Sequence, residues 1–353
     1  MPLAFTYDML PSRVVFGVGC LDQLPEEIER LGAHRALVLS TPEQRKEGQQ
    51  MVDRLGSLAA GLFDKAVMHV PIEIAEQARE RAKALGADCC VAVGGGSTTG
   101  LAKAIALVST LPILAIPTTY AGSEMTPIWG LTESGMKKTG RDTRVLPKTV
   151  LYDPTLTVSM PPGLSATSGM NSIAHCVEAL YSKDANPIVS LMAEEGIRAL
   201  AEGLPVVVKD PANLEARSNA LYGAWLGGMS LGAVGMALHH KLCHTLGGSF
   251  NLPHAETHTV VLPHATAYTA SAAPEAMSRV ARALGAKSAA QGLFDLASAL
   301  GAPMSLAALG LQAADLDKAA DIAVQNPYYN PRPITREGIR ALLQDAFEGN
   351  RPQ

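Results

Sequence analysis

Between residues 36 and 116 short apolar runs alternate with stretches of helical period, and after Asp153-Pro154 the strand signal stops. Ala36–Ser40 (ALVLS) reads as a strand, followed by a helix from about Pro42 and a short strand near Ala66–Val70. A helix from about Ile72 to Leu85 comes next, then strands Cys89–Val93 and Pro112–Ile116 on either side of the helical GGGSTTGLAKAIAL. Strands that alternate with helices need right-handed crossovers, and so predict a parallel sheet covered on both faces. Residues 1–20, with Gly17 and Gly19, predict a short strand or hairpin ahead of it.

From there on the pattern is helical, at roughly 161–181, 186–204, 213–230, 234–247, 257–272, 289–301 and 335–347. A chain of 353 residues exceeds the usual size of a single core. The expected layout is an α/β doubly wound dinucleotide-binding domain over 1–158, followed by an all-α substrate or catalytic domain over 159–353. The cleft between them is the expected reaction site.

A net charge of −4 without a Lys/Arg run excludes the basic surface that nucleic acids or anionic membranes need, which leaves small-molecule partners. Cys20, Cys89, Cys90, Cys176 and Cys243 form no CxxC pair and suit reduced, buried thiols, so a cytoplasmic protein is expected. The N-terminus shows no secretory pattern, and Lys103, Pro112 and Pro117 interrupt the most apolar stretch.

Gly94-Gly95-Gly96-Ser97 stands where a strand gives way to a helix. Small residues there let the backbone approach a pyrophosphate, while the free helix N–H groups bind its charge. The spacing is not GxGxxG, and the loop follows a later strand than in an ordinary Rossmann dehydrogenase; a tight turn is the simpler alternative. Thr118 and Thr119 bring two hydroxyls to the same sheet edge. Ser40 and Thr41 end the first strand of the α/β run without an acid at the tip. That predicts NADH use with NADPH also accepted, since a carboxylate there would repel a 2′-phosphate.

Six of the nine histidines lie between His239 and His264. His240 and His244 share one helical face, and Asn171 and His175 form a second i, i+4 pair. With His254, in the loop NLPHAETH, the positions Asn171, His175, His240 and His254 are a candidate constellation.

At these residues, and over nearly the whole chain through GGGSTTGLAK, PTTYAGSE, Asp153-Pro154 and the closing NPR-IT segment, the sequence resembles the iron-containing alcohol dehydrogenase family. The resemblance implies the dehydroquinate synthase-like fold and a homodimer, the latter also suggested by the apolar N-terminal strand. In that family three histidines and an aspartate bind a divalent metal. Here Asn171 stands in the aspartate's place, Gly100 replaces an aspartate after the GGGS loop, and Ala255 replaces the glycine after His254. No metal is therefore expected, although three neutral imidazoles can hold zinc.

These departures look like a branch of the family that reduces the carbon–carbon double bond of maleylacetate with NADH or NADPH, giving 3-oxoadipate in bacterial breakdown of aromatic compounds. Charge then develops as an enolate, which hydrogen-bond donors can hold without a Lewis acid. Asn171, His175, His240 and His254 become an anion pocket on this reading, with Arg332 as a carboxylate partner. His244 is the leading proton donor and Tyr328 or Tyr329 the alternative, while Cys243 would make the site sensitive to thiol reagents. A metal-dependent alcohol or polyol dehydrogenase and a catalytically dead nucleotide-binding protein are the competing readings.

Overall fold

The computed structural model describes residues 5–7, 10, 12–134 and 136–353, which form two compact units meeting in the chain at Ser159 and Met160. Residues 5–7 group with the second unit, whereas the first domain was drawn from residue 1.

The first unit holds strands β1 (Arg13–Phe16), β2 (Ala36–Leu39), β3 (Ala59–Phe63), β4 (Cys89–Gly94), β5 (Ile113–Pro117), β6 (Ile128–Glu133), β7 (Met136–Arg141) and β8 (Thr149–Tyr152). Its helices are α1 (Leu24–Arg30), α2 (Arg45–Leu55), α3 (Ile72–Ala84) and α4 (Gly96–Ser109). Six strands make one parallel sheet in the order β1-β8-β5-β4-β2-β3. The central strands β2, β4 and β5 are buried along their whole length, as near-continuous apolar runs must be when helices cover both faces.

One expectation is corrected. The strand placed near Ala66–Val70 is a turn region in which His69 and Val70 take positive φ, and the pairing strand is Ala59–Phe63. Its sequence AAGLF has no β-branched residue and a glycine at its centre, so it carries little strand signal. Residues 13–16 form the short strand of the two expected alternatives, pairing in parallel with β8. The antiparallel hairpin β6–β7 and strand β8 were not expected.

The second unit is helical: α5 (Pro162–Tyr181), α6 (Pro187–Lys209), α7 (Leu214–Ala233), α8 (Leu238–Phe250), α9 (His254–Thr269), α10 (Pro274–Ala283), α11 (Ala289–Ala299), α12 (Leu316–Ala323) and α13 (Arg336–Glu348). The short helices α10 and α12 were missed. Helix α5 is the axis of the unit, buried at every position from Ser165 to Tyr181. Glycines let its neighbours close on it: a Cβ at Gly227 of α7 would lie 2.3 Å from Ser172 Oγ, and one at Gly169 of α5 would lie 2.5 Å from Leu204 of α6. Among the described residues no single helix is long and apolar enough to cross a membrane.

Candidate active site

In the first unit β4 ends at Gly94 and α4 begins at Gly96. Gly94 has φ of 143°, and a Cβ there would lie 2.6 Å from Gln44 Oε1 and 2.7 Å from Thr98 Oγ1, so glycine is required twice over. A Cβ at Gly96 would meet nothing within 4 Å. The first N–H groups of α4 have no intrahelical acceptor. The cradle fits the pyrophosphate of a dinucleotide.

Thr119 lies beside the loop, its Oγ1 2.9 Å from the Cβ position of Gly95. Thr118 is buried and accepts a hydrogen bond from Gln44 Nε2 at 2.8 Å. Ser97 lies in the first turn and is half-buried. Ser40 is corrected: it is fully buried, its backbone is paired with Phe63 and Ala66, and its hydroxyl is closed in against Gly48. The strand tip turns inward there, so only Thr41, half-buried and accepting from the Gln44 N–H, reaches the surface.

In the second unit α5, α8 and α9 assemble the histidines. His175 of α5 and His240 of α8 stack with ring centroids 5.2 Å apart and planes at 29°. Asn171 lies one turn before His175 on the same helix, and both are buried. His254 is the first residue of α9 rather than a loop residue, and its ring lies 4.4 Å from that of His258. His258 in turn lies 4.8 Å from the His240 ring, so His254 joins the cluster through His258.

Two histidines and a carboxylate were missed. His239 Nε2 and His258 Nδ1 are 2.9 Å apart, a hydrogen bond between fully buried rings. Glu178 Oε2 accepts from His240 Nδ1 at 2.7 Å. The signals were present: His258 stands four residues after His254, His239 adjoins His240, and Glu178 is the lone charge in α5. Burial, then neighbouring histidines, hold His175, His239 and His258 well below the usual histidine range, so these rings are neutral near pH 7.

At the exposed side of the cluster His244 Nδ1 is 3.1 Å from the Tyr328 hydroxyl, which unites two of the expected proton donors. Tyr328 and not Tyr329 makes this contact; Tyr329 is 46% exposed. Arg332 is engaged elsewhere: its guanidinium lies 4.1 Å from the Tyr268 ring centre and donates to the Tyr268 carbonyl. Cys243 is corrected as well. Its thiol is buried and pushed well upward, first by desolvation and then by Glu178, so it is not a reactive thiolate.

Among the described residues, His239, His240 and His258 place ligand nitrogens within 4.8 Å of one another. His239 Nε2 and His258 Nδ1 bond each other, whereas His239 Nδ1, His240 Nε2 and His258 Nε2 have no protein partner, and the nearby carboxylate Glu178 has both oxygens occupied by donors. With an amide at Asn171 no free anionic oxygen completes the set. Neutral imidazoles without a free carboxylate suit zinc better than a hard, oxygen-seeking divalent ion.

Comparison with known proteins covers both units. Residues 11–154 match the iron-containing alcohol dehydrogenase model, and residues 165–347 match the C-terminal model of the same family. The chain is 61% identical to maleylacetate reductase of Burkholderia cepacia over 99% of both chains. A crystal structure of maleylacetate reductase from Agrobacterium tumefaciens is 56% identical and superposes with a TM-score of 0.97 over 99% of each chain. A crystal structure of a provisionally named alcohol dehydrogenase from Ralstonia eutropha JMP134 is 65% identical with a TM-score of 0.98 over 99% of each chain. Paired with the glycine cradle and the histidine cluster, these matches establish that the chain belongs to the iron-containing alcohol dehydrogenase family.

Proposed function

We propose that the chain is a maleylacetate reductase that uses NADH, and also NADPH, to reduce the carbon–carbon double bond of maleylacetate to 3-oxoadipate without a catalytic metal. One observation marks the pocket above all. Asn171 Oδ1, His175 Nδ1, His239 Nδ1, His240 Nε2 and His258 Nε2 are buried polar atoms with no protein partner. Unpartnered buried polar atoms are costly, and five in one cluster mark a ligand position. The shared name of the relatives supplies the substrate.

Bound nicotinamide supplies the hydride. The chain's own residues then have three tasks. Gly94, Gly96 and the first turn of α4 hold the pyrophosphate. Asn171 and the imidazole of His175 orient the keto-diacid and hold the enolate that forms when hydride adds to the alkene carbon, through hydrogen bonds that strengthen as charge develops, while His240 lines the same pocket. The His244–Tyr328 pair carries the proton that completes the reduction.

NADPH acceptance follows from a strand tip without a free acid: Ser40 is buried, and Asp64 at the end of β3 is paired with Arg45 at 2.8 Å. The same reading includes a homodimer, supported by the edge position of β1 and the exposure of Phe16 and Val18. A cytoplasmic location is supported by five free, buried cysteines.

The test is NADH oxidation with maleylacetate beside simple alcohols and aldehydes, using NADH deuterated at the transferred position. Deuterium on a former alkene carbon of 3-oxoadipate is the expected result. Turnover confined to alcohols and aldehydes would overturn the reading.

A further inference from the structure

Glu178 is the only charged residue in α5, and it lies in the fully buried part of that helix. A carboxylate in such a place is costly unless its oxygens are engaged. Here three donors converge on it: the Ala237 N–H at 2.8 Å and His240 Nδ1 at 2.7 Å reach Oε2, and the His239 N–H at 2.7 Å reaches Oε1. The two backbone contacts explain a cap, because α8 starts after Ala237 with no side-chain cap of its own. They do not explain the third. Because both oxygens only accept, His240 must carry its proton on Nδ1, which fixes the tautomer and the ring flip together. The other ring nitrogen, Nε2, is the buried atom without a protein partner.

We propose that Glu178 is a positioning residue for the reductase reaction, locking His240 with Nδ1–H on the carboxylate so that Nε2 enters the pocket as a hydrogen-bond acceptor. This rests on the reading that Asn171, His175 and His240 form the substrate pocket. Glu178 stands one turn beyond His175, at i+7 from Asn171, so a single helix face carries both a substrate contact and the group that orients the ring stacked on it. Glutamine at this position keeps the volume. Its amide must nevertheless turn an NH₂ toward at least one N–H donor, and it no longer dictates which nitrogen of His240 holds the proton.

The test uses the full-length enzyme labelled with ¹⁵N-histidine, as wild type, Glu178→Gln and Glu178→Asp. Long-range ¹H–¹⁵N spectra report the His240 tautomer, with His240→Asn to assign the signal, and steady-state kinetics run beside them. Wild type is expected to show a protonated Nδ1. In Glu178→Gln that proton is expected to be lost or shared between the nitrogens, with kcat/KM for maleylacetate at least about tenfold lower and the NADH KM within about twofold. Glu178→Asp is expected to recover part of both signals. An Nδ1 unprotonated in wild type, a tautomer unchanged in Glu178→Gln, or an altered tautomer with unchanged kcat/KM would reduce Glu178 to a helix cap. Should wild type fail to turn over maleylacetate, the functional reading falls, while the spectra still decide whether Glu178 sets the tautomer.

Discussion

His175 and His240, on helices α5 and α8, stack at 5.2 Å with an interplanar angle of 29°. Each carries a buried ring nitrogen without a protein partner. A hydrophobic stack would leave no such atoms, so the pair is built to meet a polar group, and Asn171 one turn away sets which kind.

Asn171→Asp is expected to restore the missing carboxylate. Zinc affinity measured by calorimetry should rise, because an anionic oxygen then completes the imidazole set. Without added metal, maleylacetate binding should weaken by about 1–3 kcal/mol as negative charge enters the proposed anion pocket. NADH binding should hardly change. Unchanged zinc affinity and unchanged kinetics would place the substrate elsewhere.

The His244–Tyr328 contact predicts a shared proton route. His244→Ala and Tyr328→Phe should each lower kcat more than they raise KM, and the double variant should cost less than the sum of the two, since both interrupt one hydrogen bond. Tyr329→Phe should leave kcat within about twofold, given its exposed position. Strict additivity in steady-state kinetics would show that the two residues act independently.

At the cofactor cradle, Gly94→Ala puts a methyl group 2.6 Å from Gln44 Oε1 at a φ of 143°. The NADH KM should rise at least about tenfold, and the melting temperature should fall by the equivalent of roughly 1–3 kcal/mol of strain. Gly96→Ala, with open space around its Cβ position, should unfold like wild type yet still weaken NADH where the pyrophosphate approaches.

Lys103 is buried, donates to the Ser123 and Ile128 carbonyls and to Thr126 Oγ1, and is pushed down to about 7 by burial, with Glu124 opposing that shift. Its folded pKa lies below the ordinary lysine value, so between pH 7 and the unfolded value near 10.4 the unfolded chain binds more protons and this group's contribution to stability rises with pH. Lys103→Met should abolish that rise. Urea melts of both proteins at pH 7 and 8.5 check it, and identical pH dependence would show that Lys103 keeps its proton throughout.

How much of this was legible in the sequence varied with the kind of signal. The long helices were readable because their apolar period runs over many turns, and strands β2, β4 and β5 because they are continuous apolar runs. Strand β3 was not readable: AAGLF has weak intrinsic preference and is held as a strand by pairing with β2. At the site, spacing alone singled out His175, His240 and Asn171, which the fold brings together. It could not show that Glu178 lies under His240, because that contact joins two helices distant in the chain. Nor could it separate Tyr328 from Tyr329, or show that Arg332 is spent on Tyr268. Those choices are made by packing.

The central claim is that Asn171, His175 and His240 form the pocket for the anionic substrate and that the reduction needs no divalent ion. Maleylacetate-dependent NADH oxidation by enzyme dialysed against a strong chelator, with metal content measured on the same sample, tests it most directly. The account predicts full activity with less than about one-tenth of an equivalent of zinc or iron, as expected of a pocket that stabilises charge by hydrogen bonds. Activity that disappears with the metal and returns when zinc or iron is restored would contradict it.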